Sequence, residues 1–164
     1  MIAFMTETVQ SDEFWMARAL ALASQAESVG EVPIGAVVVL DNEIIGEGYN
    51  QTITLNDPTA HAEIVALRQA AKAVANHRVV NADLYVTIEP CTMCAGALVH
   101  GRIARLIFGA TEPRAGAVGS STNVLENSGL NHRVDVVSGV CAQAAASLMS
   151  NFFKARRMQV RNDK

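Results

Sequence analysis

His61-Ala62-Glu63 and, further along, Pro90-Cys91-Thr92-Met93-Cys94 bring together an imidazole, two thiols and a carboxylate, side chains suited to metal-assisted hydrolysis. An imidazole and two thiolates suit Zn²⁺, and three protein ligands leave a tetrahedral ion one open position for water. A structural zinc site closes instead with a fourth Cys or His. The candidates for a fourth ligand are His77, His100, His132 and Cys141. His77 and His132 fall in loop-like contexts, His100 at the far end of its helix and Cys141 at a helix start. The three histidines therefore read as surface or hydrogen-bonding residues and Cys141 as a small helix-face residue. A lone Cys-x-x-Cys is also the pattern of a redox pair or of half a zinc ribbon, but the second half of a ribbon is missing.

Cys91 and Cys94 are three apart at a helix start, so both sulfurs face one direction. Backbone N–H groups and the positive helix end favour the thiolate there. His61, near another helix N-terminus, completes the set if the two helices converge beneath the strand ends, giving one Zn²⁺ per chain. Two thiolates cancel the charge of the ion, so the site needs a nearby base, and Glu63 is the candidate. In mid-helix, Glu63 would point nearly opposite to His61. In a first turn, its longer side chain can still reach a water at the metal.

The elements that must position these groups alternate along the chain, without repeats or low-complexity stretches, which argues for one α/β layer structure. A first helix runs from Ser11 as N-cap, with Asp12 and Glu13 in its positive first turn, to Gly30 as its stop. Two β-rich runs, 34–40 and 43–49, flank Asp41-Asn42 and predict a hairpin. Asp57-Pro58-Thr59 opens a second helix with Ile64, Leu67, Ala71 and Val74 on one buried stripe, which places His61 in its first turn. The strand over 83–89 ends at Pro90, which lets a helix begin at the cysteines. Strands over 103–110 and 134–138 follow, separated by a glycine-rich loop with one helical turn. A last helix runs from Cys141 to Arg157 or beyond. Such alternation demands parallel crossovers, so the sheet is expected to be mixed, with a hairpin at one side. Glu89, extended before its proline, reads as structural or as supporting the metal segment.

HAE followed by PCTMC matches the H-x-E…P-C-x-x-C signature of the zinc-dependent nucleoside and nucleobase deaminases. The match continues through EVPIGAVVV, IGEGYN, DPTAHAEIVALR, ADLYVTIEPCTMCAGALVHGRI and NHRVDVVSGV, roughly residues 12–157. Over that extent the chain resembles the bacterial tRNA-specific adenosine deaminases. The resemblance implies a three-layer α/β/α cytidine deaminase-like fold with a five-stranded mixed sheet, filling residues 1–164 as a single deaminase domain. It implies hydrolysis of adenosine to inosine at the wobble base, with His61, Cys91 and Cys94 holding zinc. It also settles Glu63 as the proton shuttle, which takes the water's proton and delivers it to N1 of adenine while C6 is attacked, and protonates the departing amine on collapse to inosine and ammonia. Asn50 matches a residue that reaches the bound nucleoside; a turn-forming asparagine is the other reading. Val32, Pro33 and Ile88 match an apolar base pocket, although by sequence alone they are simply core. The chain departs from the pattern at Glu112, where the family has aspartate after FGA and one further residue. Whether Glu112 makes the ribose-side contact or is a solvated loop residue stays open. The family is commonly homodimeric.

Composition fits such an enzyme, since 164 residues with 50% hydrophobic and 18% charged can build one sizeable core. No apolar run approaches the ~18 residues of a membrane span, so no membrane partner is expected. The N-terminal MIAFMTETVQ lacks the flank and apolar stretch of a signal peptide, and the cysteine usage fits a reducing compartment, so a cytoplasmic location is expected. The loop 109–121 lacks the Gly-Lys-Ser/Thr of a phosphate loop, which excludes nucleoside triphosphate binding of that type. A net charge of −3 at first disfavours RNA. Its distribution reverses the impression, because KARRMQVRNDK at the end carries +4 and leaves −7 on the rest. This basic helix end, about 152–164, with Arg156 and Arg157, could grip a tRNA anticodon arm, or could be merely a solvated basic face. Phe152 and Phe153 beside it are expected to pack on the core rather than stack on bases. Two other functions compete with the wobble deaminase. One is a zinc deaminase of a free base or nucleoside, such as guanine or cytosine/cytidine. The other is a zinc-stabilised binding module without catalysis.

Overall fold

The computed structural model describes residues 8–164; residues 1–7, most of the stretch weighed as a signal peptide, lie outside them. The chain runs α1 (Asp12–Ser28), β1 (Gly35–Leu40), β2 (Glu43–Tyr49), α2 (Ala62–Ala73), β3 (Asp83–Ile88), α3 (Thr92–His100), β4 (Arg105–Ala110), β5 (Asp135–Val137) and α4 (Ala142–Asn162). A single 3₁₀ turn, Val124–Glu126, interrupts the loop before β5. Among the described residues no helix is long and apolar enough to cross a membrane.

The five strands lie in the order β2-β1-β3-β4-β5. β1 pairs antiparallel with both β2 and β3, while β3–β4 and β4–β5 are parallel. The mixed sheet follows from its connections. Asp41 and Asn42, both at positive φ, close the β1–β2 hairpin in two residues, whereas α3 carries the crossover from β3 to β4 and the long loop 111–134 the one from β4 to β5.

Alternation along β1 divides the core between two faces. Ala36 and Val38 pack with Leu84, Val86 and the alanines of α2 on one side. Val37 and Val39 pack with Tyr85, Ile107, Trp15 and Met16 on the other, under α1. Helices α2 and α3 cover the first face and α1 and α4 the second, which is the expected α/β/α arrangement. Ser11 caps α1 as expected, accepting from the Phe14 N–H at 3.2 Å.

The second helix differs from expectation. Asp57-Pro58-Thr59 forms a turn in which the Asp57 carboxylate accepts from the N–H and hydroxyl of Thr59, and the helix itself starts only at Ala62. Its buried stripe is Ala62, Ala66 and Ala70, with Leu67, Ala71 and Val74 half-buried at its edge. Two glycines of β2 explain the shift. A Cβ at Gly48 would lie 2.4 Å from the Ala62 carbonyl, and one at Gly46 would lie 2.3 Å from that of Ala66. Helix backbone thus rests directly on strand backbone, and only alanine fits between them.

Candidate metal centre and active site

His61 and Cys91 occupy equivalent places: each is the extended residue immediately before a helix, His61 at φ −73°, ψ 153° and Cys91 at φ −76°, ψ 177°. An N-cap side chain ordinarily accepts from the first-turn N–H groups. Here neither does, and both point to the shared site. For α2 the missing cap is supplied by Asn50, whose Oδ1 accepts the Ala62 N–H at 2.9 Å. The N-cap placement of His61 also resolves the geometry of Glu63. The chain changes direction between an extended His61 and the first helical turn, so the two side chains reach the same region instead of opposite faces.

Tetrahedral coordination at ~2.3 Å to sulfur and ~2.0 Å to nitrogen separates these ligand atoms by ~3.5 Å. Nδ1 of His61 lies 3.6 Å from Cys91 Sγ and 3.5 Å from Cys94 Sγ, and the three ligand atoms lie within 4.8 Å of one another. The donor set and its spacing therefore fit Zn²⁺. Among the described residues no other His, Cys, Asp or Glu joins them, which leaves the set at three ligands.

Of the three residues, only Cys91 is shifted toward the deprotonated form that a metal takes. The Cys94 thiol beside it, together with the His61 imidazole and the Cys94 backbone N–H, outweighs burial and brings Cys91 down to about 3. Cys94 holds the shared proton and is pushed up, first by Cys91 and then by burial. His61 is raised by its contact with Cys91 against the opposing effect of burial. Glu63 is 5% exposed, and its burial pushes it up to about 7, despite the neighbouring imidazole.

Ile88, three residues before Cys91, lines a cavity of about 640 Å³ with Glu112, Arg114, Met149, Phe153 and Arg157. Three expected substrate contacts, Ile88, Glu112 and Arg157, thus share one cavity. Val32 and Pro33 lead into β1, and Ile34, just before that strand, packs against the group containing Ile88. Arg156 is held elsewhere: its guanidinium donates to the Gly30 carbonyl at 3.3 Å and lies 5.0 Å from the centre of the Phe152 ring. The two phenylalanines part company. Phe152 is buried as expected, but Phe153 is 40% exposed and faces the cavity. Glu112 is half-buried and accepts the Arg114 N–H at 2.9 Å. His132 hydrogen-bonds through Nε2 to the Ile103 carbonyl at 2.7 Å, and Cys141 is the N-cap of α4 at φ 55°.

Sequence reasoning missed Glu31. Its carboxylate is fully buried and accepts from the N–H and hydroxyl of Thr54, at 2.6 and 2.8 Å, holding the loop between β2 and α2. The signal was a charged residue just before an apolar strand entry, indistinguishable in sequence from a solvated turn.

A mixed five-stranded sheet between two helical layers carries, at the helix starts, a His-Cys-Cys group that could hold a metal beside a buried glutamate, the arrangement expected of the zinc-dependent deaminases. Comparison with known proteins agrees. The MafB19-like deaminase family matches residues 10–157. The tRNA-specific adenosine deaminase of Haemophilus influenzae is 51% identical over 154 residues, covering 93% of this chain and 89% of that one. Its counterpart in Bacillus subtilis is 43% identical over 146 residues, covering 89% and 91%. A solved structure from work on A-to-I editing by tRNA:A34 deaminases at the wobble position superposes with a TM-score of 0.80 at 46% identity, covering 82% of this chain and 98% of that one. The guanine deaminase of B. subtilis gives a TM-score of 0.61 at 40% identity, over 62% of this chain and 66% of that one. The chain belongs to the MafB19-like deaminases and to the family of tRNA-specific adenosine deaminases.

Proposed function

We propose that the protein hydrolytically deaminates adenosine to inosine at the wobble position of tRNA anticodons. The observation that carries this reading is the tetrahedral spacing of His61, Cys91 and Cys94 beside a buried Glu63. The relatives that bear this activity in their names supply the substrate class. His61, Cys91 and Cys94 would hold one zinc per chain, which when bound supplies a Lewis acid that makes water nucleophilic near neutral pH. Glu63 takes one proton of the attacking water and delivers it to N1 of adenine as C6 is attacked, then takes the proton of the hydroxyl now on C6 and gives it to the amine, which departs as ammonia. One carboxylate held near neutrality can perform both transfers.

Val32, Pro33 and Ile88 form the apolar side of the base pocket, and Asn50 orients the nucleoside while its Oδ1 caps α2. Glu112 faces the ribose, and Arg157 and Arg156 lie on the basic helix that meets the anticodon arm. The whole chain acts as one deaminase domain, as a cytoplasmic homodimer. The test is to incubate zinc-loaded protein with an unmodified anticodon stem-loop, free adenosine, guanine and cytidine, and to assay each product. Inosine at the wobble base of the RNA is the expected outcome. Deamination of guanine or cytidine alone would replace this reading with that of a base or nucleoside deaminase, the activity named for the B. subtilis guanine deaminase relative.

A further inference from the structure

Glu89 takes no part in the chemistry above, yet its side chain is 4% exposed and forms no ion pair among the described residues. Its carboxylate is satisfied by a single loop. Oε1 accepts the Glu112 N–H at 3.2 Å and the Ser120 hydroxyl, and Oε2 accepts the N–H groups of Val118 at 3.1 Å and Ser120 at 3.2 Å. The Ala117 N–H adds a bond of 2.8 Å to the Pro90 carbonyl. Gly116 leaves the space this requires, because a Cβ there would lie 2.4 Å from Oε2.

Two consequences follow from the position of Glu89 in the chain. It stands two residues before Cys91, so one short stretch of backbone carries both the metal ligand and the anchor of the loop. The anchored loop in turn supplies Thr111, Glu112, Pro113 and Arg114 to the cavity that Ile88 lines. We propose that Glu89 is a positioning residue, which locks the loop 111–120 to the metal-binding segment and so fixes the cavity wall that receives RNA beside the target base. The inference deepens the wobble-deaminase reading and rests on it for the identity of the substrate.

Glu89→Gln is the informative change. A carboxamide offers one acceptor oxygen and one NH₂, so in either orientation at least one backbone N–H of the loop loses its acceptor. In the zinc-loaded variant, exchange of the Glu112, Val118 and Ser120 amides should accelerate about tenfold, the size of one hydrogen bond to a charged group, while β3 and β4 stay protected. KM for an anticodon stem-loop should rise by a similar factor of about ten, with a smaller fall in kcat and no loss of zinc. Unchanged loop exchange, or a fall in kcat at unchanged KM, would overturn the proposal. So would a loss of activity in proportion to lost zinc. If Glu89→Gln yields no folded protein, Ser120→Ala removes one donor only and should shift loop exchange and KM in the same direction by about threefold. The exchange measurement needs no substrate, so it decides the clamp even if the wild-type protein leaves the RNA untouched and the functional reading falls.

Discussion

Glu63, the proposed proton shuttle, sits where burial opposes its charge, which suits it to that role. A carboxylate in water stays ionised at neutral pH and is a poor acid, whereas one raised to about 7 can both accept and return a proton. Glu63→Gln should keep the fold and the zinc, since neither ligands nor packing change, and should lower single-turnover deamination by ~10²–10⁴. A loss below about tenfold on the same RNA would assign the base to another residue. The proposed ligands predict the complementary pattern. His61→Ala or Cys94→Ala should lose both metal and turnover, because two ligands hold zinc poorly against water, and metal analysis of the purified variants checks it. That His61, Cys91 and Cys94 come together was legible in the sequence from their types and spacing, whereas the role expected of Glu63 came from the resemblance. The reach of Glu63 was not legible from spacing, because it depends on His61 being an extended N-cap residue rather than a helical one. Glu31 and Phe153 were missed because burial of a lone charge, or exposure of one of two adjacent aromatics, is set by distant loops and helix phase.

Helix placement turns on close backbone packing. The periodicity of Ile64, Leu67, Ala71 and Val74 suggested one buried face, but Gly46 and Gly48 draw the alanine face of α2 onto β2 instead. A pattern of large apolar residues cannot disclose a contact made by small ones. Gly48→Ala must push the Ala62 carbonyl away, and overpacking of this kind costs about 1–3 kcal/mol. The expected fall in Tm is roughly 3–10 °C, with weakened zinc binding because Ala62 adjoins His61; calorimetry and metal titration check both. A second device fastens α1 to the sheet at its start. The Tyr85 hydroxyl donates to Asp12 at 2.7 Å, and Arg105 bridges Asp12 at 3.0 Å and Asp83 at 2.9 Å. Burial raises the pKa of Asp12, but the bonds from Tyr85 and Arg105 outweigh it, so the pKa lies below the ordinary 3.8. A lowered carboxylate stabilises the fold above its unfolded value and loses that contribution as pH falls through its folded value. Asp12→Asn should therefore cost about 1 kcal/mol at neutral pH, discounted for partial exposure, and the difference from wild type should vanish as pH falls below 3.8. A constant difference in thermal unfolding at every pH would assign the effect to packing.

At the scale of the whole molecule, an acidic protein that binds a polyanion must place its positive charge where the phosphates lie. The sequence disclosed that distribution, with +4 on the last eleven residues and −7 on the remainder. It could not disclose which arginines are free, because that depends on the face α4 turns to its neighbours. Arg157 lines the cavity beside Glu112 and Phe153, and Arg161 lies exposed one turn further along α4. Arg156 donates to the end of α1 at Gly30 and lies against Phe152, a use internal to the fold. Each arginine that neutralises a single-stranded phosphate contributes ~0.7 to the slope of log affinity against log salt. Replacing Arg157 and Arg161 with glutamine should thus weaken binding of an anticodon stem-loop and flatten that slope by ~1.4. Turnover at saturating RNA should change much less, because neither side chain belongs to the metal cluster. Adding Arg156→Gln should leave the slope where the double variant put it and instead lower Tm. A further drop in slope with an unchanged Tm would mean that Arg156 leaves Gly30 to meet RNA. An unaltered slope in the double variant, with normal affinity, would remove the RNA from α4 altogether.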